Sequence, residues 1–341
     1  MKKLMLSTAL ASLFIANNAI AQTTVTGELR LAYKATSVKG DSTESKRSIG
    51  NEQQINIQTK GRLNVGNVDY AAGFSIENDG SQSTTLFNEN TYMDFTLPAS
   101  GTTFSVSRDH IQRSDTDRSN GVFMGYSPSD VAEGVTSTTS LFTSNGTAVG
   151  QAFGLALIQN VGQFGKVSFL YVPTAADTAT ASEGVTEGDK ESGHEIGFTG
   201  NLGIPGLDVY AFKNEVKKSP TDAKKGEFSN YGIKYNLGQT TLGYTKKYYT
   251  AASTSSAANE QIENHYGIAY SIDKNLSVGL FKADASKEGM AATENVKYIQ
   301  IGYNLGPVAL TGGYAKNKNI GGLSTASADA DTVFLRLVSA F

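Results

Sequence analysis

The chain has 341 residues, 39% of them hydrophobic, with a formal net charge of −3 and no cysteine. Without cysteine it has neither disulfides nor thiolate chemistry, so its stability must come from hydrogen bonding and packing. The mildly acidic balance contains no polybasic run and argues against a nucleic-acid partner.

Residues 1–21 read as an export signal. Met1-Lys2-Lys3 forms a positive start, Leu4 to Ala16 an apolar stretch of 13 residues, and Ala19-Ile20-Ala21 a small-x-small cleavage site, so the mature chain is expected to begin at Gln22. A membrane-anchoring helix needs about 20 apolar residues, and this stretch is too short. Removing Lys2 and Lys3 leaves 27 basic against 32 acidic residues, a net −5 over residues 22–341. That remainder has no apolar run long enough for a membrane helix. A transmembrane barrel has the same soluble-looking composition, because every second strand residue faces a wet lumen.

The order of residues separates the two cases. In 25–33, Val25, Gly27, Leu29, Leu31 and Tyr33 alternate with Thr26, Glu28, Arg30 and Ala32. In 54–63, Ile55, Ile57, Thr59, Gly61 and Leu63 alternate with Gln54, Asn56, Gln58, Lys60 and Arg62. The last strand places Val333, Leu335, Leu337, Ser339 and Phe341 on its apolar side. Such alternation is the signature of two-faced strands.

Turns carry a second pattern. Asn-[Leu/Val]-Gly occurs at 64–66, 160–162, 201–203, 236–238 and 304–306, and Asn and Gly tolerate the positive φ that tight hairpins demand. With breaks at Pro98–Gly101 and Asp273-Lys274-Asn275, seven short turns are predicted, near 66, 99, 162, 203, 238, 274 and 306. Eight long polar segments lie between and beyond them, near 35–51, 79–88, 109–149, 174–191, 214–226, 250–260, 284–292 and 316–330. Fifteen connections imply sixteen strands. The expected fold is all-β, a closed transmembrane antiparallel barrel with short periplasmic turns, long external loops and both termini on the short-turn side. Tyr70, Tyr235, Tyr270, Tyr303 and Phe341 fall on outward faces near short turns, and Tyr33, Tyr248 and Tyr314 toward the other rim, as membrane-interface girdles require.

The first strand, the repeated Tyr-Asn-Leu-Gly turns and the terminal Phe341 together resemble the general bacterial porin family. The resemblance spans residues 22–341 and rests on layout. It implies a trimeric barrel in the outer membrane, embedded in lipid and lipopolysaccharide and passing small hydrophilic solutes. It further implies that the third external loop narrows the pore and that Phe341 belongs to a signal read by the barrel assembly machinery. The Pro-Glu-Phe-Gly-Gly sequence that some members carry in that loop is missing, so loop geometry does not transfer.

The segment 109–149 is the third long connection and breaks the repeat, and a connection of that length is usually functional or disordered. Its acids Asp109, Asp115, Asp117, Asp130 and Glu133 are candidates for one side of a constriction, and Ser127-Pro128 reads as a helix start within it. The opposing wall is expected where the last strand meets the first. Counting from the turns puts Arg30, Lys60, Arg62 and Arg336 on the lumen face at similar height, roughly 10–15 Å above the short-turn rim. On the lipid side an Arg or Lys at the midplane would cost about 2–4 kcal/mol.

Signals for catalysis are weak. His110, His194 and His265 lack metal-site spacing, and Asp115-x-Asp117-x-Ser119 lacks the glycine and closing glutamate of a calcium loop, so neither cofactor nor metal is expected. A Ser-His pair near His265 would need a fixed serine. The leading reading is a passive water-filled channel. The alternatives are a structural or adhesive barrel and a substrate-selective channel, for which Phe281, Tyr298 and Phe334 are the available lumen aromatics.

Overall fold

The computed structural model describes residues 22–40, 46–63, 66–79, 86–108, 140–143, 153–173, 192–217, 225–250 and 260–341. Among them, strands follow in chain order as β1 (Gln22–Val38), β2 (Lys46–Arg62), β3 (Asp69–Asp79), β4 (Phe87–Leu97), β5 (Thr102–Ser107), β6 (Gly154–Asn160), β7 (Lys166–Val172) and β8 (Ser192–Gly200). The second half comprises β9 (Leu207–Lys217), β10 (Gly226–Leu237), β11 (Thr240–Thr250), β12 (Glu260–Ser271), β13 (Leu276–Lys287), β14 (Glu294–Asn304), β15 (Val308–Lys318) and β16 (Ala330–Ala340). Every strand pairs antiparallel with its sequence neighbours, and β1 pairs with β16, closing the sheet. Sixteen strands at ~4.8 Å spacing and ~40° tilt enclose a cylinder of roughly 32 Å backbone diameter.

The alternation that defines the strands also sorts their faces. On β16, Val333, Leu335 and Leu337 are exposed while Thr332 and Phe334 are fully covered. The exposed apolar set continues around the wall through Leu31, Phe104, Phe169, Ile233, Leu280 and Ile301, so the outer surface is greasy and the inner surface polar. A band of that kind is suited to lipid.

The turn chemistry explains the short connections. The glycines of all five Asn-x-Gly sites, Gly66, Gly162, Gly203, Gly238 and Gly306, have φ between 62° and 91°. At two of these sites the asparagine side chain accepts the hydrogen bond of its own glycine, Asn201 from Gly203 at 3.0 Å and Asn304 from Gly306 at 2.8 Å. In the β12–β13 turn Asp273 does the same for Asn275 at 2.7 Å and Leu276 at 2.9 Å. These two backbone donors hold its carboxyl below the ordinary aspartate range.

Two expectations change. Residues 35–51 were expected to be a long connection, yet β1 runs to Val38 and β2 starts at Lys46. Similarly, β13 continues to Lys287, inside the segment 284–292. Backbone pairing continues past the greasy band, where polar side chains no longer signal a strand, so polarity alone ended these strands too early.

The ends meet at the seam. Phe341 exchanges backbone hydrogen bonds with Gly27, N to O at 2.9 Å and the reverse at 2.8 Å. Its exposed ring lies over Gly27, where a Cβ would come within 2.3 Å of it. Glycine is required there by the close approach. The first described residue, Gln22, and the last, Phe341, thus sit at the short-turn rim, with Gln22 opposite Lys60 of β2.

Candidate functional site

The lumen is the site, and its decisive feature comes from the connection between β5 and β6. Residues 140–143 of that connection are described, and Leu141–Thr143 forms a single 3-10 turn. Ser140, Leu141 and Phe142 are buried. The Ser140 hydroxyl donates to Glu294 at 2.6 Å and the Leu141 N–H donates to the same carboxylate at 2.7 Å. Gln261 donates to the Leu141 carbonyl, and the Phe142 N–H donates to Ser140 Oγ at 3.1 Å. Gln261 and Glu294 belong to the inward faces of β12 and β14. In a closed ring of sixteen, β13 is eight strands from β5, on the opposite wall. Residues 140–143 of the connection are therefore fastened to the wall opposite β5.

Apolar packing completes the attachment. Leu141 and Phe142 cluster with the inward residues Phe281, Val296, Tyr298 and Phe334. Phe281 stacks on Tyr298 with ring centroids 5.0 Å apart, and Phe142 meets the edge of His265 at 5.9 Å. Glu294 also accepts from Gly321 at 2.9 Å, so one carboxylate holds both this segment and the β15–β16 connection. The fully covered carboxyl group accepts from three donors, and removing it would leave three buried donors without a partner. His265 Nε2 lies 3.2 Å from Glu263, and Ser140 is committed to Glu294, so the two do not form a Ser-His pair. Among the described residues, no group of three or more His, Asp or Glu is arranged to hold a metal ion.

The basic residues occupy the neighbouring wall of β16, β1 and β2, but not at one level. Arg30 lies opposite Val338 while Arg336 lies opposite Ala32, which makes the two diagonal neighbours on the inner face. Lys60 lies opposite Gln22, eight residues along β1 from Arg30. At ~3.3 Å per residue and ~40° tilt the separation is roughly 20 Å along the barrel axis. Lys60 and Arg62 therefore belong to the short-turn mouth. Counting residues from each turn ignored the shear between strands, which displaces equal counts to different heights.

Their partners differ too. Arg30 is bonded to both Glu28 and Glu52, and Arg62 pairs with Asp69 at 2.6 Å. Lys34 and Lys46 share the same inward faces, Lys34 opposite Phe334 and Lys46 opposite Thr36, and extend the basic wall toward the long-connection rim. Sequence reasoning missed both, because Lys46 lay in a presumed loop. The five acids Asp109, Asp115, Asp117, Asp130 and Glu133 lie outside the described residues, as does the segment 1–21.

By sequence, no curated relative matches the chain. The profile of the family described as Gram-negative porin matches residues 7–336. The chain belongs to the Gram-negative porin family. Solved structures agree at the level of fold. An anion-selective porin from Comamonas acidovorans superposes with a TM-score of 0.69 at 13% identity, covering 94% of this chain and 100% of that one. The outer-membrane channel DcaP of Acinetobacter baumannii gives 0.66 at 14% identity, over 94% and 97% of the two chains. OmpT of Vibrio cholerae, in its trimer form, gives 0.60 at 12% identity, over 94% and 99%.

This porin is thus an outer-membrane barrel that forms a channel for passive diffusion of solutes. Its lumen aromatics are not an open track. Phe281, Tyr298 and Phe334 are 1–5% exposed, covered in part by Leu141 and Phe142. They form the seat on which Leu141 and Phe142 pack.

Proposed function

We propose that this porin is a general-diffusion channel for ions and small hydrophilic solutes, narrowed by the β5–β6 connection. The observation that carries this reading is the attachment of Ser140 and Leu141 to Glu294, on the wall opposite β5. A segment tethered at both walls divides the roughly 32 Å cylinder and leaves a smaller aqueous passage beside it. Arg30 and Arg336 line the wall just below the crossing, since Phe334 of the seat is two residues from Arg336 on the same face. With the acids of 109–149 as the opposing side, they give the passage a transverse field that makes it sensitive to solute charge. Lys60 and Arg62 act at the short-turn mouth.

The remainder follows the same reading. Residues 1–21 are removed on export and 22–341 form the barrel, with short turns periplasmic and long connections external. The barrel assembles as a homotrimer, a reading supported by the trimer form in which OmpT of V. cholerae has been solved. Phe341 is read by the assembly machinery, and the chain carries out no catalysis. Conductance of the purified protein in a planar bilayer, with its reversal potential in a KCl gradient, tests the channel. Discrete conductance steps are expected, and a barrel that inserts without conducting would overturn the reading in favour of a structural or adhesive barrel.

A further inference from the structure

The connection between β15 and β16 is held at more points than closing a hairpin requires. After Lys318 the chain turns left-handed at Asn319, with φ 55°, and Ile320–Gly322 forms a single buried 3-10 turn. Ile320 is fully covered and packs with Val38 at the end of β1 and Ala330 at the start of β16. The Asn319 N–H donates to Asp329 Oδ1 at 3.0 Å, and the Lys39 N–H donates to the Asp329 carbonyl at 2.9 Å. These contacts tie the turn to the ends of β1 and β16.

Its other side is tied to the residues around Glu294. The Asn319 side-chain amide donates to the Thr293 carbonyl at 3.0 Å, and the Ala292 N–H donates to the Gly322 carbonyl at 3.0 Å. The Gly321 N–H donates to Glu294 Oε2 at 2.9 Å, the same oxygen that accepts from Leu141. A Cβ at Gly322 would lie 2.7 Å from Cβ of Met290, so the turn is pressed against the β13–β14 connection. The β14–β15 ladder ends with Asn295 opposite Lys318, which leaves Glu294 one residue beyond it. On that side the Asn319–Gly322 turn, in place of a strand, holds the backbone before Glu294 and the carboxylate itself. A carboxylate at a strand end keeps a precise geometry only when a supporting layer fixes it.

We propose that the Asn319–Gly322 turn is a positioning element of the pore. It orients the Glu294 carboxylate and, through that carboxylate, keeps residues 140–143 on their wall, so the β15–β16 connection helps to set the width of the passage. The inference rests on the reading that the attachment of Ser140 and Leu141 narrows the channel. The rival role is closure of the β15–β16 hairpin alone. That role accounts for the bonds of Asp329 and for the packing of Ile320 with Val38 and Ala330. It leaves unexplained the three hydrogen bonds to residues 292–294, which belong to the β13–β14 side.

The test is a mutant cycle between the turn and Glu294, read by single-channel recording of the full-length barrel in a planar bilayer. Asn319→Gly keeps the left-handed backbone and its N–H but deletes the amide that holds Thr293. Ile320→Ala removes the packing that seats the turn, and Ile320→Val is its conservative counterpart. Asn319→Gly should increase the time residues 140–143 spend off their seat about fivefold, the effect of one lost neutral hydrogen bond, seen as excess current noise and higher mean conductance. Ile320→Ala should move both in the same direction, and Ile320→Val should restore currents close to the parent's. In the Glu294→Ala background Asn319→Gly should add nothing, because the carboxylate through which the turn acts is gone. Parent-like currents in folded Asn319→Gly and Ile320→Ala would overturn the inference. Equal increments in both backgrounds would overturn it too, since the turn would then act on the passage independently of Glu294. If Ile320→Ala does not fold, Asn319→Gly carries the test, because it leaves the apolar packing intact. A noisy Glu294→Ala beside quiet turn variants refutes only this inference, whereas a quiet Glu294→Ala refutes the role of the attachment as well.

Discussion

Replacing Glu294 tests whether one carboxylate holds the pore at its working width. In Glu294→Ala the donors of Ser140 and Leu141 lose acceptors at 2.6 and 2.7 Å. Hydrogen bonds to a charged group contribute about 1.5–3 kcal/mol each, so roughly 3–6 kcal/mol of attachment disappears. What remains is the Gln261 bond to the Leu141 carbonyl, about 1 kcal/mol, and burial of Leu141 and Phe142, about 1.5–3 kcal/mol each. The attachment is therefore roughly halved, and the segment should leave its seat often enough to register as excess current noise and higher mean conductance. Glu294→Gln keeps the volume but converts charge-assisted bonds into neutral ones, so it should fall between parent and Ala. Ser140→Ala removes a single bond on the segment side and should produce a smaller shift in the same direction. Single-channel recording in a planar bilayer reads all four proteins, with heat-modifiable migration on gels confirming that each barrel is folded. If Glu294→Ala inserts normally and matches the parent in both conductance and noise, the attachment does not set the pore width.

Other outcomes follow from the same geometry. Arg30→Ala leaves Glu28 and Glu52 without their shared cation, so the reversal potential in a KCl gradient should move toward cation selectivity, and further when Arg336→Ala is added; no shift in the double variant would place these residues outside the conduction path. Deleting Phe341 removes two backbone bonds and the ring over Gly27, so outer-membrane levels should drop, and normal levels would contradict both the seam and the assembly-signal reading. For Asp273 the folded carboxyl is held low by two backbone donors, so its contribution is present above the ordinary aspartate range and lost as pH falls through the lowered value. The thermal midpoints of parent and Asp273→Ala should therefore differ at neutral pH and converge in acid, and a gap independent of pH would refute the turn assignment. Light scattering in detergent should give three times the protomer mass, and a monomer would remove the trimer.

What the sequence reveals is local or periodic. Alternation from Val25 to Tyr33 reports a two-faced strand because side chains switch sides at every residue. Asn304-Leu305-Gly306 reports a turn because its asparagine bonds its own glycine, a contact within three residues. The attachment of the crossing segment was not legible, because Ser140 and Glu294 are 154 positions apart and nothing near either residue announces the other. Glu294 stood next to a presumed loop, and its buried position becomes evident only once the barrel closes. The basic wall was legible by face but not by height. Parity alone decides whether Arg30 points inward, whereas level depends on strand shear, which the pairing of Gln22 with Lys60 reveals.

The most direct test of the central claim compares the single-channel conductance of the parent with that of a variant lacking residues 112–146, which removes the crossing and its attachment to Glu294. A channel narrowed by this segment predicts discrete steps for the parent and clearly larger ones for the deletion, with both barrels folded and inserted. Equal steps for the two proteins would contradict it.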